Sequence, residues 1–249
     1  MTGNRVDPTV ASYLLKVDNY ISLFIRNAAF TSLTSLHFDI SSGVDQNFFN
    51  HLLNCYLPYQ SWSLIILDSS LNELDRYSWN QSRVMSLVFP ALDAQSNSVL
   101  SLSVDLSLTG LAEGSQAAQK QATKQAAHST TGRVDPLTTF AFLVVIDALT
   151  DPQQFVAKID SFTLGTNAAK ELVLTVKPEA NANPYRQWLS GGNQPSNGRI
   201  DILRTNFKVA FRIQFTGMRV TSVAPPLTTY ASTPATVRLS YDTIHFETP

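Results

Sequence analysis

The sequence holds one cysteine, Cys55, in 249 residues, so it can form no internal disulfide. That fits a reducing compartment and excludes a stapled secreted scaffold. Charge is scarce as well, at 15% of residues against about a quarter in an ordinary soluble chain. The 18 basic and 19 acidic side chains leave a net charge of -1, which provides no broad positive field for nucleic acid or an acidic membrane. No apolar run approaches the roughly 20 residues of a spanning helix. The opening MTGNRVDPTVASYLL lacks a basic segment leading into a long apolar stretch, so no Sec signal peptide and no membrane contact are expected. Without secretion, Asn80-Gln81-Ser82 is a chance sequon.

The residue patterns of catalysis are missing too. The four histidines, His37, His51, His128 and His245, show no metal-ligand spacing, and Cys55 follows an apolar helical pattern as a small buried hydrophobe does. Asp68, Asp75, Asp93 and Asp147 fall at strand ends or turns, where Asp caps backbone groups. Gly191-Gly192 lacks the following lysine of a phosphate loop and reads as a turn. Trp62, Trp79 and Trp188 stand without interleaved Lys and Arg, which suits a core better than a base-stacking surface. We therefore expect no enzyme activity, no catalytic or metal residues and no cofactor.

What the sequence does contain is a repeat. Arg5-Val6-Asp7-Pro8 recurs as Arg133-Val134-Asp135-Pro136, an offset of 128 (133 minus 5), and Tyr13–Asp18 lines up with Phe142–Asp147 at 129 (142 minus 13). Arg83-Val84-Met85-Ser86 returns as Arg219-Val220-Thr221-Ser222 at 136 (219 minus 83), with Pro90 matching Pro226 and Ser96 matching Ser232. Leu102–Asp105 then matches Leu239–Asp242 at 137 (239 minus 102). Collinear matches with rising offsets are the trace of a duplication with insertions. The division this gives is a first domain over 1–112, an Ala/Gln/Lys-rich linker over 113–131 and a second domain over 132–249. The linker has high helix propensity but no apolar face.

Strand signals dominate both copies. In the first they cover Ser12–Asp18, Ile21–Ile25, Ser32–Ile40, Trp62–Leu67, Leu74–Trp79 and Val99–Leu108; in the second, Phe140–Asp147, Phe155–Leu164, Glu171–Val176, Thr205–Phe215 and Thr236–Phe246. Along Val99–Leu106 the polar residues fall at every second position, as a half-buried strand requires. One helix interrupts each copy: Asp45–Leu53, capped by Ser42 or Asp45, and Asn183–Leu189, with Pro184 in its first turn and Gly191 at its end. The fold class is mainly β, with two tandem antiparallel β-barrel or sandwich domains, each carrying one short α-helix.

Arg133-Val-Asp-Pro-Leu-Thr-Thr-Phe-Ala-Phe-Leu-Val-Val-Ile-Asp-Ala-Leu149 resembles the opening of the phage tail-tube family, the inner-tube subunits of contractile phage tails and extracellular contractile injection systems. In the first copy, Trp62–Asp68, Arg76–Trp79 and Phe89–Ala94 resemble that family's later stretch, and the helices around Phe49 and Trp188 sit where it has a short Trp-containing helix. Two departures stand beside these matches. The family's Gly-Phe-x-Glu-Val-Ser-Gly-Leu phrase is replaced by Asp151–Phe155 in one copy and Ile21–Phe24 in the other, and the family has one domain where this chain has two.

The resemblance implies a structural subunit that self-associates into a ring, a trimer with pseudo-sixfold symmetry or a hexamer. Its partners would be tube, hub or sheath proteins, with cargo passing through the lumen, in a virion tail or an injection particle assembled in the bacterial cytoplasm. Inner tube, tube initiator, baseplate hub and terminator all remain open positions. The alternative is a β-sandwich binding module such as an adhesin or fibre domain, for which Tyr56-Leu-Pro-Tyr59 is the candidate aromatic loop.

Overall fold

A computed structural model describes residues 12–17, 21–40, 61–110, 112–113, 137–149, 156–165, 168–177, 182–224 and 234–247. The helix expected over Asp45–Leu53 and the linker, apart from Glu113, lie outside the described residues. So do His51, Cys55, Tyr56, Tyr59 and His128.

The N-terminal strands are β1 (Ser12–Val17), β2 (Ile21–Ser32), β3 (Ser35–Ile40), β4 (Trp62–Leu67), β5 (Glu73–Trp79), β6 (Gln81–Phe89), β7 (Leu92–Asp93), β8 (Leu102–Thr109) and β9 (Ala112–Glu113). They are followed by β10 (Phe142–Ile146), β11 (Val156–Ile159), β12 (Phe162–Gly165), β13 (Glu171–Val176), the helix α1 (Asn183–Ser190), β14 (Ser196–Leu203), β15 (Val209–Ala224), β16 (Ala235–Ser240) and β17 (Thr243–Glu247). The described chain is mainly β and antiparallel, of the barrel or sandwich class expected.

It forms two compact units. The first draws on the described parts of 1–41, 50–85 and 103–134, the second on those of 42–49, 86–102 and 135–249. In the first unit the strands run β8-β3-β2-β1-β4-β5-β9. β3 buries Leu36, Phe38 and Ile40 while Ser35, His37 and Asp39 face outward, and β8 buries Leu102, Val104, Leu106 and Leu108 between serines and Asp105. Alternation of this kind locks the strand by face, because a slip of one residue would turn all four leucine and valine side chains of β8 to water. Each is worth roughly 1.5–3 kcal/mol when buried.

In the second unit the order is β10-β14-β15-β16-β13-β11-β7, with β17 beside β15. The long β15 pairs with β14 and β17 along its first part and with β16 along its last residues, Arg219–Ala224.

The two copies repeat the same hydrogen-bond ladders. Tyr13 faces Ile66 and Val17 faces Trp62 in the first copy; their counterparts Phe142 and Ile146 face Ile202 and Gly198. Next along, Ile65 faces Arg76 and Trp62 faces Trp79, whereas Asp201 faces Arg212 and Gly198 faces Phe215. Even the irregularity recurs: the register shifts before Leu67, which faces Glu73, and before Leu203, which faces Val209.

The intervening turns match atom for atom. Asp68 N–H bonds the Asn72 carbonyl and Leu71 N–H the Asp68 carbonyl; Arg204 N–H bonds Lys208 and Phe207 N–H bonds Arg204. Leu71 and Phe207 both sit in the left-handed region at φ 60°, which branched and aromatic residues enter only when a tight turn demands it.

Register also corrects the last sequence match. Thr34 bonds Leu108, His37 reaches Asp105 and Asp39 reaches Ser103 across β3 and β8, while Glu171 faces Ser240 across the equivalent β13 and β16. This aligns Leu102–Asp105 with Ala235–Arg238, four positions from the Leu239–Asp242 match read from sequence. A strand that repeats Leu-Ser every second residue fits equally well in frames two or four apart, and only the partner strand decides between them.

Other differences have similar causes. Phe155–Leu164 is not one strand but the pair β11 and β12, and Thr236–Phe246 divides into β16 and β17. The strands β6 and β14 were not anticipated, because Gln81–Met85 and Ser196–Asp201 carry polar residues where a core face would show apolar ones. Residues 86–102, which the sequence division placed in the first domain, belong to the second unit. There β7 pairs with β11, Leu100 N–H donates to the Leu137 carbonyl (2.7 Å) and Thr139 N–H to that of Ser98 (2.9 Å). Backbone groups go where they find partners, which no local pattern records.

The helix α1 follows its sequence signals. Pro184 lies in the first turn, where its missing N–H costs nothing. Gly191 ends the helix, its N–H donating to the Gln187 carbonyl, and a Cβ there would lie 2.8 Å from that oxygen. The helix packs on β15 with Tyr185 fully buried. The Tyr185 hydroxyl has no hydrogen-bond partner among the described residues, and burial pushes its pKa up.

A raised pKa means that the fold accepts the neutral phenol but not the phenolate, so stability is independent of this group below the unfolded value of about 10 and falls as pH rises beyond it. Tyr185→Phe is therefore expected to gain about 1 kcal/mol at neutral pH by removing a buried unpaired group, and to flatten the alkaline loss of stability. Urea melts at neutral pH and at about pH 10.5 check this; a less stable variant at neutral pH would refute it.

Candidate functional site

Among the described residues no group of three or more His, Cys, Asp or Glu side chains could hold a metal ion. His37 lies on the outward face of β3 with Nδ1 2.8 Å from Asp105 Oδ1, and Nε2 3.7 Å from Asp39 Oδ1. Asp39 in turn accepts from Ser103 Oγ (2.5 Å) and Asn27 Nδ2 (2.7 Å). These are cross-strand polar pairs, and each such pair adds a few tenths of a kcal/mol to a ladder. β13 and β16, the second-copy counterparts of β3 and β8, carry an ion pair in the same setting, Arg238 Nη1 to Glu171 Oε2 at 2.7 Å.

Among the described residues, the carboxylates of Asp68, Asp75 and Asp93 accept from nearby backbone N–H groups. Asp68 Oδ1 accepts from the N–H groups of Ser70 and Asn72, and Asp93 Oδ1 from that of Gln95. Asp75 accepts from Arg76 N–H, and the exposed Asp147 donates its backbone N–H to Asn197. His245 is exposed on β17 opposite Gln214. Trp62 and Trp79 stack in the core at 6.3 Å, and Trp188 Nε1 donates to the Gln194 carbonyl. The structure brings none of these aspartates together with a histidine other than through Asp39 and Asp105, which sequence reasoning had not singled out.

A signal missed in the sequence is a repeated arginine. Arg76 and Arg212 hold equivalent ladder positions, and each is clamped by a carboxylate through two hydrogen bonds. Arg76 Nε and Nη2 donate to Glu73 Oε1 (2.9 Å) and Oε2 (2.7 Å). Arg212 Nε and Nη2 donate to Asp201 Oδ1 (2.6 Å) and Oδ2 (3.2 Å). Asp201 is 2% exposed, covered also by Arg199. The Asp201 hydrogen bond holds the Arg212 guanidinium above its usual pKa, while burial, then the Arg76 charge, lower that of the Lys16 ammonium, with Glu73 opposing. The forked geometry fixes the planar guanidinium in place, so Arg76 is held along β5 and Arg212 ties β15 to β14, rather than offering a free charge to a ligand.

The arrangement that bears on function is a strand junction. β6 belongs to the first copy and β12 to the second, yet Ser86–Phe89 of β6 pair in register with Gly165–Phe162 of β12 inside the second unit. Phe162 is 4% exposed and stacks on Phe89 with ring centroids 4.7 Å apart; Phe89 stacks in turn on Phe246, and Phe162 meets Phe215 edge-on. The margin of one copy is thus completed by a strand of the other, sealed by backbone bonds and an aromatic stack. Such a junction asks only for a complementary edge, not for a particular catalytic residue.

No protein-family model matches the chain, and no curated protein matches it. Among solved structures, Hcp1 from Flavobacterium johnsoniae is similar over 43% of this chain and 97% of its own length, at 11% identity and a TM-score of 0.35.

Arg212→Met is expected to cost on the order of 3 kcal/mol, since it takes the two-bond partner from the buried Asp201 carboxylate and leaves it the longer contact from Arg199, at 3.4 Å. The double variant Asp201→Leu/Arg212→Met is expected to recover most of that loss, because no buried charge is then unpaired; Arg199 and Glu247 each lose a partner but are 39% exposed. Urea denaturation of the three proteins measures both; a double variant as weak as the single one would contradict the assignment.

Proposed function

We propose that this chain is a non-enzymatic structural subunit that assembles into a ring or tube layer of a contractile phage tail or a related injection particle, as an inner tube, tube initiator or baseplate hub. The observation that carries the reading is the junction of β6 with β12. One chain already joins two copies of the same ladder by completing a strand margin, and repeating that join between chains closes a ring. Three chains would then give a pseudo-sixfold ring of six copies.

Two further features support it. The tail-tube resemblance includes β10, β4, most of β5, the end of β6 and β7, so much of it falls on strands. The low charge suits a subunit touching neighbours on several sides, because interface cores are depleted of charge. On this reading the partners are sister subunits and neighbouring tube, hub or sheath proteins, and the site of assembly is the cytoplasm or the virion tail. No described helix is long and apolar enough to cross a membrane.

Light scattering with size-exclusion chromatography and negative-stain microscopy test the proposal. Purified protein is expected to give annular particles with six density lobes and the mass of three chains, or stacks of such rings. Monomers alone across a wide concentration range would reject it.

A further inference from the structure

The two copies share their ladders but not the fate of one segment. Arg26 faces Asp39 in the first copy, and Lys158 faces Thr175, the counterpart of Asp39, in the second. Ala29 faces His37, and Asp160 N–H bonds Val173, the counterpart of His37. Continuing along the chain from that match, Phe30-Thr31-Ser32-Leu33 takes the place of Ser161-Phe162-Thr163-Leu164.

In the second copy this segment is β12, with Phe162 and Leu164 buried against β6. In the first it is the tip of the β2–β3 hairpin, where Phe30 is 37% and Leu33 is 83% exposed. The same four residue types, Phe, Thr, Ser and Leu, are docked on a neighbouring strand in one copy; in the other Phe30 packs edge-on against Tyr77 and Leu33 stands in solvent.

The receiving margin is duplicated in the same lopsided way. Ser86, Leu87 and Val88 of β6 correspond to Ser222, Val223 and Ala224 of β15. Leu87 is 1% exposed beneath β12, whereas Val223 is only half-buried and Ala224 is exposed. β15 pairs with β16 on one side of Ser222–Ala224, and on the other side no strand lies among the described residues. Just before this margin the Asn193 side chain bonds both the N–H and the carbonyl of Val220, so backbone groups on that side do take partners. Pro225-Pro226 follow in sequence and cannot donate to a ladder, which keeps the margin short and specific.

We infer that the Phe30–Leu33 hairpin tip of one chain docks as an antiparallel strand on the Ser222–Ala224 margin of a second copy of this chain, Leu33 opposite Val223 as Leu164 lies opposite Leu87. This rests on the ring reading and names the surfaces that would close it head to tail. A tip and a margin on different copies of the ladder generate a heterologous contact, which closes into a ring when the rotation per chain permits.

Cross-linking tests it. In a Cys55→Ser background, which removes the sole native thiol, Leu33→Cys and Val223→Cys are combined and oxidised under conditions where the native protein forms multimers. A ladder of dimer and trimer on a non-reducing gel is expected, and dimers from a mixture of the two single-cysteine proteins. Annular particles without covalent products would overturn the edge assignment while the ring reading stands. A product confined to one chain would overturn the second-copy partner, and the absence of multimers at every concentration would overturn both. Leu33→Asp, at an exposed tip that folding does not need, is expected to raise the concentration required for assembly at least about tenfold, with the circular dichroism spectrum unchanged.

Discussion

The antiparallel ladder is the constraint on which everything else here rests. Each strand must satisfy its backbone N–H and carbonyl groups on both sides, and each must do so in a register that keeps its apolar face inward. In this chain the requirement is met twice with one solution. The pairs Val17–Trp62 and Ile146–Gly198, the shifts before Leu67 and Leu203, and the left-handed turns at Leu71 and Phe207 recur at matching positions. A bulge kept at the same place in two copies is a feature of the ladder, since it sets where the strand bends and which way the following side chains point.

Within that fixed frame the cores have diverged. The stacked pair Trp62 and Trp79 is replaced by Gly198 and Phe215. A Cβ on Gly198 would lie 3.0 Å from the Val145 carbonyl oxygen and closer still to the Met218 sulfur, so the glycine lets backbone approach and a flexible thioether fill the space of an indole. The arginine is retained at Arg76 and Arg212 while its carboxylate moves from Glu73 on the same strand to Asp201 on the neighbouring one. Volume and charge are conserved locally, which packing tolerates far better than a change of register.

The same logic separates a satisfied margin from an unsatisfied one. β6 meets β12, and Leu87 and Phe89 are buried; the matching end of β15 and the matching hairpin tip keep their apolar residues partly exposed. An exposed strand margin and an exposed apolar tip are hazards for a monomer and instructions for an assembly.

The amino-acid sequence by itself determined the mainly β class, the duplication and the helix at Asn183–Ser190, because period-two alternation, collinear matches and a Pro184/Gly191 pair are local signals that need no partner. It also marked Asp68 and Asp93 as turn residues. It left open the frame of Leu102–Asp105, since leucine and serine alternate identically at several offsets. β6, β14 and the crossing of residues 86–102 into the second unit were decided only by tertiary structure, as was the clamp between Asp201 and Arg212. In each case the deciding fact is which distant strand supplies the other half of a hydrogen bond, and a ladder partner leaves no trace in the residues on its own side.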